Sequence, residues 1–109
     1  MTDARAIYRE GFARFAQQDL DGAIARYREA LAVDPRFALA WSALGMAHSR
    51  KGEIDAAIEA GRKAVELEPD EPLGYTNLSI FFQQKGMIAE AEEAKARALQ
   101  LGMRKQAGR

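Results

Sequence analysis

Apolar residues recur at helical spacing along the whole chain and are broken at regular distances by short polar turns. Steps of three and four residues place side chains on one face of an α-helix, so the pattern predicts six short amphipathic helices in A–B pairs. The A helices are expected over Asp3 to Gln17, Arg36 to Arg50 and Glu71 to Gln84, and the B helices over Asp21 to Val33, Asp55 to Leu67 and Ala89 to Leu101. Gln18-Asp19-Leu20, Lys51-Gly52-Glu53 and Lys85-Gly86-Met87 join A to B, where Gly52 and Gly86 suit the left-handed conformation that ends a helix. Pro35 and Pro69 stop the B helices, because proline disfavours helical geometry in the residue ahead of it, here Asp34 and Glu68.

Laid over itself at a spacing of about 34 residues, the chain falls into register. Gly11, Gly45 and Ser79 coincide, as do Ala23, Ala57 and Ala91, then Ala30, Ala64 and Ala98. Small residues at a fixed period of this length signal stacked helical hairpins rather than one compact core. Trp41, Leu44 and Gly45, followed by Ala57, Ala64 and Pro69, reproduce most of the tetratricopeptide repeat pattern, and the chain resembles three such repeats, 4–37, 38–71 and 72–105, with a tail of 106–109. The middle repeat matches best. The first has Ile7, Glu10 and Arg14 where the second has Trp41, Leu44 and His48; the third has Tyr75, Leu78 and Phe82 there, but Ser79 for glycine and Met103 for proline. The resemblance implies an all-α fold: a right-handed superhelical α-solenoid of three helix-turn-helix hairpins with a short C-terminal tail.

Close packing is the expected work of the small residues. Gly11 and Gly45 should meet Ala23 and Ala57, while Leu20, Ile54 and Ile88 anchor the turns. Gly61 stands mid-helix where the first repeat has Tyr27, at a propensity cost of about 1 kcal/mol against alanine. It is expected to make room for Tyr75 or Phe82. Ile24, Tyr27 and Leu31, then Ile58, Gly61 and Val65, should face the hairpin that follows, whereas the last repeat offers Glu92, Lys95 and Leu99. Together with Glu10 and Arg14 at the first repeat, these charges lead us to expect an array finished at both ends, a complete small protein. After the last repeat only Gly102 to Arg109 remains, where Arg104, Lys105 and Arg109 are expected to fray, and part of Leu99 and Met103 should stay exposed.

Composition narrows the function classes. The 109 residues carry 48% hydrophobic side chains, enough for an elongated core but not for a deep enclosed pocket. Sixteen basic and sixteen acidic residues cancel, which gives no bulk attraction for nucleic acid or an anionic membrane surface. There is no cysteine, and Met1 to Glu10 contains no apolar run, so neither thiolate chemistry, a signal peptide nor membrane insertion is expected and a cytoplasmic setting is the simplest reading. His48, the single histidine, is expected in the core at the tyrosine position of the repeat. No His, Asp and Glu spacing suits a metal and no glycine-rich phosphate loop is present, so no enzyme activity, cofactor or metal is expected.

What the resemblance implies for function is binding. Stacked A helices of this family line a concave groove that receives a partner's peptide. Carried onto this chain, the groove positions are Arg5, Tyr8, Arg9, Phe12, Phe15 and Ala16; then Leu39, Ser42, Ala43, Met46, Ser49 and Arg50; then Leu73, Thr76, Asn77, Ile80, Gln83 and Gln84. Half are apolar, three are arginines and none is acidic, which favours an amphipathic, acidic peptide, with Arg5 and Arg9 gripping a carboxylate over a floor of Phe12, Met46 and Ile80. The clamp by which family members hold the C-terminal carboxylates of heat-shock chaperones uses Lys, Asn, Asn, Lys and Arg. Tyr8, Phe12, Ala43, Leu73 and Asn77 stand at those positions, so that ligand is not expected. Two alternatives stay open: Tyr8, Phe12 and Phe15 closing over one another as core with the arginines merely solvated, and self-association through the same apolar surface or the face near Leu99 and Met103.

Overall fold

A computed structural model describes residues 3–108. Six helices account for nearly all of them: α1 (Ala4–Ala16), α2 (Leu20–Val33), α3 (Ala38–Arg50), α4 (Ile54–Leu67), α5 (Pro72–Lys85) and α6 (Ile88–Ala107). They form three hairpins, α1–α2, α3–α4 and α5–α6, stacked into an α-solenoid in which each hairpin packs only on its neighbours. No helix among the described residues is long and apolar enough to cross a membrane.

Local chemistry sets the turns. Each A helix ends with the amide of Asp19, Glu53 or Met87 bonded back to the carbonyl of Arg14, His48 or Phe82, at 2.8 to 2.9 Å. This closing bond requires a left-handed residue just before it. Gly52 (φ 84°) and Gly86 (φ 88°) supply it as expected, and in the first hairpin Gln18 takes the same conformation at φ 67°. Asp3 caps α1 by accepting from Arg5 N–H, and Asp19 caps α2 by accepting from Gly22 N–H. Along the turn edge, Lys51 reaches Asp21 and Lys85 reaches Asp55, the same ion pair one period apart, each tying a hairpin to the one before.

Two buried clusters mark the seams. At the first seam Tyr27, 1% exposed, packs in one cluster with Ala47 and Leu44. Its ring lies so close over Gly11 that a Cβ there would stand 2.6 Å from Tyr27 Cε1. The atoms nearest Gly11 are therefore those of the Tyr27 ring and not of Ala23. At the second seam Gly45 does meet Ala57, whose carbonyl oxygen would lie 3.2 Å from an added Cβ, and it also bears on Phe81. Phe81 is fully buried. Gly61 makes room for Leu78 and Phe81, at 2.8 and 3.3 Å from a built Cβ, not for Tyr75 or Phe82.

Two further expectations change. Ile88 does not anchor its turn but is 57% exposed. Arg104 and Lys105 do not fray: α6 continues through Gly102 to Ala107, and Lys105 Nζ lies 2.7 Å from a Glu71 carboxylate oxygen at the start of α5. Residues 106 and 107 of the expected tail are thus helical, and Arg109 lies outside the described residues. His48 is buried as expected, its Nδ1 2.8 Å from Glu53 Oε1 and its Nε2 3.5 Å from Arg28 Nη2.

Candidate functional site

The three A helices lie side by side, with α3 in the middle. α1 and α5 each pack on α3 and not on each other, so the inward faces of the outer two flank a trough floored by α3. Helical spacing turns Tyr8, Phe12 and Phe15 of α1, Leu39, Ser42, Ala43 and Met46 of α3, and Leu73 and Asn77 of α5 into this trough. Together they line an open pit of about 290 Å³. Tyr27 reaches the same pit from α2. The sequence places it at the seam, but its ring also stands 5.7 Å from that of Tyr8, and the signal was the glycine at position 11 that lets it through.

The aromatics neither close over one another completely nor stand free. Tyr8 contacts Phe12, Tyr27 and Phe37 at centroid distances of 6.4, 5.7 and 5.4 Å, yet Phe12 remains 57% exposed. Burial raises the pKa of the Tyr8 phenol, and burial followed by proximity to Tyr8 pushes that of Tyr27 up to about 12. Both hydroxyls stay protonated at neutral pH and carry no charge into the pit.

Two of the three arginines bear on aromatic rings next to the pit. Arg50 Cζ lies over the Phe15 ring at 4.9 Å from its centroid, and Arg5 Cζ over Phe37 at 5.7 Å, each in cation–π contact. Arg9 is exposed one turn after Arg5 on α1. None of the three has an ion-pair partner among the described residues. The Arg5 end opens into a second cleft that also carries Asp34, Glu68 and Glu71, so the positive character is undiluted only at the Arg50 end.

Three predicted residues stand elsewhere. Ile80, expected in the floor, lines the outer cleft between α5 and α6 together with Thr76 and Gln83, because α5 is the last A helix and this side of it faces no neighbour. Gln84 does not line the pit but acts as a strut: Ser49 Oγ donates to its Oε1 at 2.6 Å and ties α3 to α5. Asn77, 7% exposed, lines the pit and forms no side-chain hydrogen bond within the described residues. No cluster of three metal-ligating side chains occurs among the described residues.

Comparison with known proteins agrees with this architecture. A family model described as tetratricopeptide repeat matches residues 2–72. No curated protein sequence matches. Among solved structures, MamA superposes with a TM-score of 0.92 at 30% identity over 97% of this chain, which spans 62% of the MamA chain. The first such domain of Spaghetti (RPAP3), bound to the HSP90 peptide SRMEEVD, superposes at 0.89 with 22% identity, covering 91% of this chain and 79% of that one. The Sgt2 domain from Aspergillus fumigatus gives 0.89 at 22% identity over 91% of this chain and 66% of its own. The repeat register, the six paired helices and the match across two full repeats establish that this chain belongs to the tetratricopeptide repeat family.

Proposed function

We propose that the concave groove is a peptide-binding adaptor surface, taking from a partner protein an amphipathic segment with apolar anchors and carboxylates. The observation that carries this reading is the pairing of an acid-free apolar pit with three arginines that have no carboxylate of their own among the described residues. A guanidinium stacked on an aromatic ring keeps its N–H donors at its edge, ordered for a bidentate carboxylate. The five positions of the chaperone clamp, Tyr8, Phe12, Ala43, Leu73 and Asn77, all converge on the pit, but none is charged. Recognition here begins from hydrophobic anchors, with the carboxylates read at the rim and the Asn77 amide free to pair with the peptide's backbone.

Fluorescence anisotropy with two labelled peptides tests this: an amphipathic helix former with glutamates on its polar face, and the same peptide with lysines there. The acidic peptide should bind, more weakly as salt rises, and the basic one should not. A folded Phe12→Glu, Met46→Glu variant should lose at least about tenfold in affinity, since anchors dominate such interfaces, and Arg50→Gln about threefold. Equal binding of both peptides, or binding untouched by the double variant, would sink the reading.

A further inference from the structure

The outer face of the last hairpin has the shape of a slot awaiting another A helix. Inside the array α5 fills such a slot on the preceding hairpin, where Gly74 lies under Val65, Leu78 over Gly61, and Phe81 against Gly45 and Gly61. Advanced by one period, the slot-forming positions Gly45, Gly61, Ala64 and Val65 become Ser79, Lys95, Ala98 and Leu99. All four line an open cleft of about 600 Å³ between α5 and α6. Leu99 and Met103 are 67% and 61% exposed there. The extension of α6 leans back onto α5 through Lys105 and Glu71.

The helix equivalent to α5 at the start of the array is α1, and its outward face matches this slot at three positions, with Ala13 standing where α5 has Phe81. Val65 over Gly74 becomes Leu99 over Ala6, again a large side chain on a small one. Gly61 against Leu78 becomes Lys95 against Glu10. Ile58 and Phe82, which share the second core cluster, become Glu92 and Arg14. Both charged positions therefore meet the opposite sign. Ala6, Glu10, Arg14, Glu92 and Lys95 are all exposed, and Glu10, Glu92 and Lys95 have no ion-pair partner among the described residues. Arg14 spends one guanidinium nitrogen on Asp19. Zero net charge removes long-range repulsion between copies.

We propose that copies of this chain stack head to tail, α1 of one copy entering the α5–α6 cleft of the next and prolonging the solenoid through Lys95–Glu10 and Glu92–Arg14 pairs. This goes beyond peptide capture and uses a different face. Such a contact joins two unlike surfaces, so it leaves a free end on every assembly and does not close into a symmetric dimer.

Light scattering on the full chain at low salt, across a wide concentration range, tests the idea. The mass should climb from the monomer's 12.0 kDa past that of a dimer without a plateau and fall back as salt is added. Glu10→Lys and Lys95→Glu, both at exposed helix positions, should each weaken stacking by at least about tenfold, because like charges then face one another. The chain carrying both substitutions restores the pairing in reverse and should regain assembly. The groove variant Phe12→Glu, Met46→Glu should assemble as the wild type does. A mass fixed at that of the monomer, a plateau at the dimer, single variants without effect, or loss of assembly in the groove variant would each overturn the proposal.

Discussion

At the seam between the first two repeats the ring that fills the interior comes from the B helix, Tyr27, and shares its buried cluster with Ala47 on the A helix that follows. One period later the B helix has Gly61, and the ring comes from the A helix instead, as Phe81. The two seams fill the same space from opposite sides. Tyrosine with alanine and glycine with phenylalanine enclose similar volumes, so the helices can keep the same spacing while the sequence at each position looks unrelated. The choice has a functional side. Tyr27 reaches through to the concave face and deepens the pit, whereas Phe81 is wholly internal and contributes nothing to it, so the apolar groove is concentrated over the first two repeats.

The comparison breaks most visibly at its largest buried ring. Phe81→Ala should cost about 3 to 5 kcal/mol, read as the shift in a urea midpoint, because Gly45 and Gly61 leave nothing nearby to collapse into the void. A loss below about 1 kcal/mol would show that the second seam does not depend on this ring. Rebuilding the first seam in the image of the second sharpens the point. Tyr27→Gly and Ala47→Phe should each destabilise, the first by a cavity and the second by overpacking, and together should cost less than their sum by about 1 to 3 kcal/mol. Strict additivity would mean that the two positions do not share one space.

The turns extend the same comparison at smaller scale. Gln18 holds the left-handed conformation that Gly52 and Gly86 hold in the other hairpins. Gln18→Gly should therefore raise stability by about 1 kcal/mol in a thermal melt. The residue after each differs too. A hydrogen bond from Gly22 N–H and then one from Arg14 hold the Asp19 carboxyl below its ordinary pKa, and His48, then Lys51, do the same for Glu53, while the third turn has Met87. A carboxyl whose folded pKa is depressed stabilises above its unfolded pKa and loses that contribution as pH falls through the folded value. Stability should thus decline on acidification below about pH 4, and Asp19→Asn with Glu53→Gln should flatten that limb; an unchanged acid profile would count against both contacts.

Much of the candidate groove was legible in the sequence because the positions carried over from the repeat family fall on one face of their helices. Tyr8, Phe12, Phe15, Leu39, Ala43, Met46, Leu73 and Asn77 recur on one face of their helices, and all reach the pit. Ile80 obeys the same phase yet points into a different cleft, since at the last A helix there is no neighbour to wall the trough. Tyr27 was hidden for the opposite reason. It sits on a B helix, and only the missing side chain at Gly11 lets its ring pass between helices into the groove.

Periodicity and turn chemistry are properties of neighbours along the chain, and there the amino-acid sequence was sufficient: it determined the repeat register, the glycine turns, and six helices within two residues of their ends except at the C-terminal end of α6. Which ring fills which seam was decided only by tertiary structure, because volume is conserved between facing helices and not at any single position. The same holds for the rim, where Arg50 and Phe15 come from different helices and their stacking exists only once α1 lies against α3. The end of α6 was settled there too, where the helix runs on to Ala107 and its Lys105 meets Glu71 across the hairpin.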